Sequence, residues 1–240
     1  MISVVLPCYN AQKHISETLT ILEDFFPRNF KAYELICVND GSSDKTVEEI
    51  EKYIKLHSDT RARLVSYEKN MGKGYAVQQG ILASEGEYIV FVDADLPVTT
   101  SCFSKMINIL KSSADVVLAD RREGKDAYEN AGLIRRFVSF CGYILCRIVL
   151  GIKIRDTQAG FKGFRREAAL LMAGKQTMKR FSFDIEYIYI SLLNNLEIKQ
   201  LSVVYENDTE NSSVHVFRDI FRSVADIFKI RSHKREYLKK

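Results

Sequence analysis

Asp93-Ala94-Asp95 closes the apolar run 88–92, and Asn39-Asp40-Gly41-Ser42-Ser43-Asp44 closes the run 35–38. Two carboxylates one residue apart at a strand end repel each other unless a cation or a basic partner relieves them. A hard cation suits Asp93 and Asp95, because it prefers oxygen ligands and often completes its shell with substrate phosphates. A nucleoside diphosphate is the ligand these clusters suggest. Pro7-Cys8-Tyr9-Asn10 follows the first apolar run, where proline is expected to end strand pairing and leave Tyr9 able to lie against a planar ring; a core tyrosine is the alternative. Asp40 beside Gly41 could accept from a base imide or a ribose, or close an Asx turn without a ligand. In Asn70-Met71-Gly72-Lys73-Gly74 the glycines allow close backbone approach, and Lys73 could meet a phosphate or base. Asp120-Arg121-Arg122 and Arg135-Arg136 carry guanidinium groups, which bind phosphates bidentately, although each pair could also be a solvated face.

The elements that must position these residues follow from periodicity. Strand patterns fall at 2–6, 33–38, 62–67, 87–92 and 115–119, and helical spacing at 15–26, 43–56, 74–83 and 100–111, with Ser43 or Asp44 as N-cap. Alternation of this kind predicts an α/β fold, a mainly parallel sheet flanked by helices with right-handed crossovers. The carboxyl ends of its strands form the ligand crevice, so both acidic clusters should face one pocket. After residue 120 the rhythm breaks into a polar loop, a very apolar helix at 133–150, short elements and a final amphipathic helix. The expected organisation is a domain over 1–210, with 1–120 as a nucleotide-binding half and 121–210 as an acceptor half. An amphipathic helix and basic tail occupy 211–240.

Composition bounds the partners. The 240 residues are 46% hydrophobic and 28% charged, ordinary for a soluble globular chain, and the net charge of +4 is too small to imply nucleic acid. Five cysteines include no C-x-x-C pair, and the four histidines show no zinc spacing. With no basic and apolar leader before the first strand, the expectation is a cytoplasmic protein.

In order and spacing these pieces resemble family 2 glycosyltransferases of the GT-A fold. The resemblance runs from residue 2 to about 205, through Pro7 to Asn10, Asn39 to Thr46, Asn70 to Gly74, Asp93-x-Asp95, Asp156-Thr157-Gln158-x-Gly160-Phe161-Lys162 and Arg180-Phe181-Ser182-Phe183-Asp184. The last two motifs look most like the branch that makes dolichyl- and polyprenyl-phosphate glucose and mannose. Asn39 and Ala11 depart from the pattern, where many relatives carry aspartate and glutamate. The resemblance implies that Pro7, Tyr9, Asp40 and Lys73 surround the nucleoside, with Ala94 also on the nucleotide-sugar side, and that Asp93 and Asp95 hold Mg or Mn, Asp95 more directly. Arg121 and Arg136 would meet the diphosphate or an acceptor phosphate, and Gln158 and Asp184 would line the sugar and acceptor side. The implied reaction is inverting: a hexose, glucose first, passes from a UDP-hexose or GDP-mannose to a polyprenyl phosphate.

The acceptor decides the chemistry. A sugar hydroxyl must lose a proton, which makes Asp184 the base. A phosphate monoester, with a second pKa of about 6, is already an anion and needs positioning and charge neutralisation. The stretch 137–152 is apolar apart from Arg147 and shorter than the ~18 to 20 residues that span a bilayer. Its polar stripe Arg136, Ser139, Tyr143 and Arg147 would leave an apolar surface for a membrane interface, a buried core helix being the alternative. Phe217, Ile220, Phe221, Val224, Ile227 and Phe228 form a second stripe, followed by basic residues that suit an anionic surface at about 1 kcal/mol each. A docking helix with a solvated end is the rival. The expectation is thus a peripheral enzyme that meets the membrane through 133–150 and 214–240. Transfer to a sugar hydroxyl is the alternative, and a catalytically silent nucleotide-sugar-binding subunit a further one.

Overall fold

The computed structural model describes residues 1–121, 133–205 and 216–238, the side chains of 133–140 and 216–223 lying outside that description. Four β-α repeats open the chain: β1 (Ile2–Cys8), α1 (Ile15–Asn29), β2 (Tyr33–Asp40), α2 (Thr46–Leu56), β3 (Ala62–Tyr67), α3 (Lys73–Ala83), β4 (Tyr88–Val92) and α4 (Ser101–Ser112). There follow β5 (Val116–Asp120), α5 (Leu133–Leu150), β6 (Phe161–Arg165), α6 (Arg166–Lys175), α7 (Phe183–Leu193), β7 (Ile198–Ser202), α8 (Val216–Ser232) and α9 (Lys234–Tyr237). The expected strands and the apolar helix are where periodicity put them. β1 runs through Pro7 instead of ending before it, because it pairs β4 only as far as Val5 and the missing N–H costs no bond on that free side. α2 starts at Thr46, later than expected, and Asp44 Oδ1 accepts the Thr46 N–H at 3.0 Å.

Among the described residues the sheet has seven strands in the order β3-β2-β1-β4-β6-β5-β7. β6 runs antiparallel between β4 and β5, and the other pairings are parallel. Strand order reverses between β1 and β4, so the connections leaving their carboxyl ends diverge and open a crevice there. Alternate residues of the strands point to opposite faces, and each face is covered. Val4, Leu6, Leu35, Cys37, Val90 and Val92 pack under α1, α2 and α4, with Leu19, Phe26, Ile50 and Phe103. Val5, Ile36, Val38, Ile89 and Phe91 pack under α3, α6 and α7, with Val77, Ile81, Met172 and Phe183. Gly80 lets α3 lie close on β1, since a Cβ there would stand 2.2 Å from Val5 Cγ1.

Candidate active site

The β1–α1 and β2–α2 connections are laced together at the open end of the sheet. Asn10 Oδ1 accepts the Ser43 N–H at 2.9 Å, Ser42 Oγ accepts the Asn10 N–H at 3.0 Å, and Gln12 Oε1 accepts the Lys45 N–H at 2.9 Å. Beside that lacing Pro7 is half-buried and Tyr9 is displayed, 53% exposed. An exposed aromatic on a braced loop at the switch point offers a planar ring a stacking face; the core-tyrosine alternative does not apply.

Asp40, read from the sequence as an acceptor for a base imide or a ribose, or as an Asx-turn residue, has both carboxylate oxygens on backbone N–H groups. It is buried, and its Oδ1 and Oδ2 accept the backbone N–H groups of Met71 at 2.7 Å and Gly72 at 2.8 Å. Its carboxylate therefore holds the loop that carries Lys73, from beneath. Gly72 follows with φ of 106°, a left-handed value that an L side chain rarely adopts, and a Cβ there would stand 2.6 Å from Lys179 O.

Lys73 opens α3 and reaches β4. Its Nζ lies 2.5 Å from Asp93 Oδ1 and 5.7 Å from the centroid of the Phe91 ring. Burial works against its charge, yet Asp93, Asp184 and Asp95 together hold the ammonium above the usual lysine range. Asp93 fills a notch left by Gly160, where a Cβ would lie 1.9 Å from Asp93 Oδ2, and the Asp93 N–H donates to Gly160 O at 3.0 Å. Ala94 supplies a carbonyl that accepts the Thr18 hydroxyl at 2.7 Å, tying the cluster to α1. Burial and the like charge of Asp93 push the Asp95 carboxyl above its ordinary range. A cavity of about 360 Å³ lies against Asp95 and is lined by His14, Thr18, Leu96 and Val98. A larger hollow of about 530 Å³ along α1, between Thr20 and Thr100, holds none of the cluster.

Lys162 on β6 is the residue that sequence reasoning left without a role. Its side chain is fully buried, with Nζ 2.5 Å from Asp184 Oδ1, 2.7 Å from Ala159 O and 5.4 Å from the Phe91 centroid. Burial lowers its affinity for the proton and raises that of Asp184, so neither charge is held without the other. Asp184 is buried as well, at the first turn of α7. Phe91 thus lies beneath two ammonium groups, and around it Lys73, Lys162, Asp93 and Asp184 form one interlocked charge cluster. The sequence signal was a lysine set among the apolar Ala159, Phe161 and Phe164, since lysine is almost never fully buried unless paired.

Arg121, expected at the diphosphate or an acceptor phosphate, has its guanidinium on Asp156, with Nε to Oδ2 at 2.9 Å and Nη2 to Oδ1 at 2.8 Å, and it lies 5.3 Å over the Tyr205 ring. Burial works to raise Asp156, and Arg121 overcomes it and keeps the carboxyl below its ordinary range. Gln158 is exposed, on the segment leading into β6. The side chain of Arg136 lies outside the described residues.

Asp93 and Asp95 fit a hard divalent ion in donor type and in the repulsion it would relieve. Among the described residues no group of three or more His, Cys, Asp or Glu is placed to hold a metal.

The family model described as Glycosyl transferase family 2 matches residues 3–170. The dolichyl-phosphate beta-glucosyltransferase of Dictyostelium discoideum is 29% identical over 96% of this chain and 77% of its own length. The Homo sapiens dolichyl-phosphate beta-glucosyltransferase is 30% identical over 96% of this chain and 74% of its own length. Among solved structures, glucosyl-3-phosphoglycerate synthase from Mycobacterium tuberculosis in complex with uridine-diphosphate superposes with a TM-score of 0.69 at 19% identity, covering 100% of this chain and 81% of that one. The same enzyme has been solved with Mn2+ and with Mg2+.

Proposed function

The chain belongs to glycosyl transferase family 2, and we propose that it moves glucose from a nucleotide sugar, UDP-glucose first, to the phosphate of a dolichyl or other polyprenyl phosphate. The observation that carries this reading is that relatives named dolichyl-phosphate beta-glucosyltransferase align over 96% of the chain. In it the exposed Tyr9 ring stacks on the base, and the loop clasped by Asp40 presents Lys73 beside Asp93. Asp93 and Asp95 would hold Mg or Mn, which when bound neutralises charge on the departing diphosphate. The acceptor attacks the anomeric carbon from the face opposite the leaving group, which inverts the configuration through an oxocarbenium-like transition state.

A phosphate acceptor needs no base at neutral pH. That requirement agrees with the burial of Asp184 against Lys162: a carboxylate so enclosed orients the acceptor side. A hydroxyl acceptor is the second reading, favoured by the raised proton affinity of Asp184, the direction a general base needs. Peripheral membrane contact, on the cytoplasmic face, belongs to the same proposal. Ile144 and Ile148 on α5 and Val224 and Phe228 on α8 are exposed, and Lys229, Arg231, Lys234 and Arg235 follow as exposed basic residues. No helix among the described residues is long and apolar enough to cross a membrane.

The test is transfer of labelled sugar from UDP-glucose into the organic phase, with Mg or Mn and a polyprenyl phosphate. Metal-dependent lipid labelling is expected, falling by about 100-fold or more in Asp95→Ala, the scale of losing one preorganised electrostatic group. Metal-dependent UDP release with a sugar acceptor and no lipid label would move the reading to a hydroxyl-directed transferase. Nucleotide-sugar binding without turnover would leave a silent binding subunit.

A further inference from the structure

The last described residues of the chain reach back to the charge cluster through a second buried carboxylate. Glu186 on α7 is fully buried, two residues beyond Asp184. Its Oε1 accepts the Thr177 N–H at 2.8 Å, the Thr177 hydroxyl at 2.6 Å and the Tyr237 hydroxyl at 2.5 Å, and its Oε2 accepts the Met178 N–H at 2.9 Å. Four donors match the acceptor capacity of a carboxylate. Tyr237 is itself fully buried and comes from α9, at the far end of the chain.

The segment so held, 176–180, is pressed onto the first turn of α3. Gln176 Nε2 donates to Gly74 O at 2.8 Å and to Met178 O at 2.7 Å, while its Oε1 accepts the Tyr187 hydroxyl at 2.6 Å. The Tyr75 N–H donates to Lys179 O at 2.9 Å. Cβ atoms at Gly72 and Gly74 would stand 2.6 Å from Lys179 O and 2.7 Å from Phe183 Cβ. Lys73 sits between those two glycines. Further ties bind the C-terminal helices to α7 and its cap: Ser182 Oγ donates to Asp226 Oδ2 at 2.6 Å, Arg231 Nη1 to the Tyr189 hydroxyl at 2.9 Å, and Asn194 Nδ2 to Tyr237 O at 2.9 Å. Lys175 Nζ closes α9 by donating to Glu236 O at 2.7 Å and Leu238 O at 2.9 Å.

We propose that Tyr237 is a positioning residue for the transfer: through Glu186 it keeps the 176–180 segment seated on the Lys73-bearing turn while fixing α7, and with it Asp184, relative to that turn. The role in transfer rests on the function proposed above; the latch itself does not. A C-terminal segment that tethers the site in this way makes the seating of α8 and α9 a condition for a competent cluster.

The test uses the full chain with Tyr237→Phe, which removes one hydroxyl and keeps the ring. Amide exchange at Tyr75, Thr177 and Met178 should rise by roughly tenfold, as loss of one buried hydrogen bond allows, while β1, β2 and β4 are unchanged. The kcat for glucose transfer should fall by about fivefold or more, since small misplacements of reacting groups are costly. The KM for polyprenyl phosphate should change less, and kcat is expressed per folded enzyme, counted by UDP-binding stoichiometry, because loss of folded enzyme alone would also lower apparent kcat at constant KM. Unchanged exchange at these amides overturns the latch, and raised exchange with unchanged kcat overturns its role in positioning. If the wild type transfers no glucose, the functional reading fails while the exchange data still decide the latch. Thr177→Val removes a second donor to the same carboxylate and should raise exchange in the same segment, which keeps the test open should Tyr237→Phe not fold.

Discussion

Gly160 shows how a residue without a side chain shapes the chemistry of one that has it. The Asp93 carboxylate occupies the space where a Gly160 Cβ would be. A Gly160→Ala chain should therefore fold, with Asp93 rotated off Lys73 and transfer reduced by about 100-fold, the scale of one displaced electrostatic group. Steady-state turnover beside a thermal melt checks this, and unimpaired turnover would mean that the Asp93 position is immaterial. Asp93 and Asp95 stood out in the sequence as like charges at a strand end, and the structure adds that Lys73, from the start of α3, pairs with Asp93. Asp40 was legible as a residue that matters but not in what it does. Its partners are backbone N–H groups some thirty positions away, and backbone groups carry no sequence signature.

At the scale of elements, α7 draws its stability from packing on all sides more than from amphipathic spacing. Residues 183–191 are all buried, including Asp184 and Glu186, which are admitted because each has partners. Phe183 joins α7 to the sheet, its ring 5.8 Å from Phe91 and 5.4 Å from Tyr187, with Gly74 against its Cβ. Phe183→Ala should cost about 3–5 kcal/mol by denaturant unfolding, the range for emptying a large buried ring. A cost below about 1 kcal/mol would mean that α7 closes over the gap. β6 was not foreseen as a strand. It is short, and its antiparallel insertion between β4 and β5 is a choice among non-local pairings that periodicity does not encode.

For the molecule as a whole, α5 and α8 pack against each other, and α8 is tied to the cap of α7 through Ser182 and Asp226. Of the C-terminal stripe, Ile227 is buried, as are Ile230 and Tyr237 beyond it, so a docking helix is what the structure shows for these residues. Val224 and Phe228, with Ile144 and Ile148 on the packed neighbour α5, remain outward. Tyr143 and Arg147, two members of the expected polar stripe, meet through an Nη1 to hydroxyl bond of 3.1 Å. Ile148→Glu and Phe228→Glu should each weaken binding to anionic vesicles by roughly tenfold, the worth of one exposed apolar side chain inserted in an interface, with turnover of a short, water-soluble acceptor unchanged. Unaltered co-sedimentation with vesicles would remove this surface from the membrane contact.

What the sequence determined by itself was the α/β alternation, the strand ends that carry acid, and an order of motifs resembling family 2 glycosyltransferases. Those features are local: period, turn residues and spacing survive in one dimension. Only the tertiary structure decided that Lys162 and Asp184 form a buried pair, that Arg121 is taken by Asp156, and that Tyr237 closes on Glu186. Each joins residues distant along the chain, and a buried charge is permitted or forbidden by the partner that folding brings to it, which spacing along the chain does not reveal.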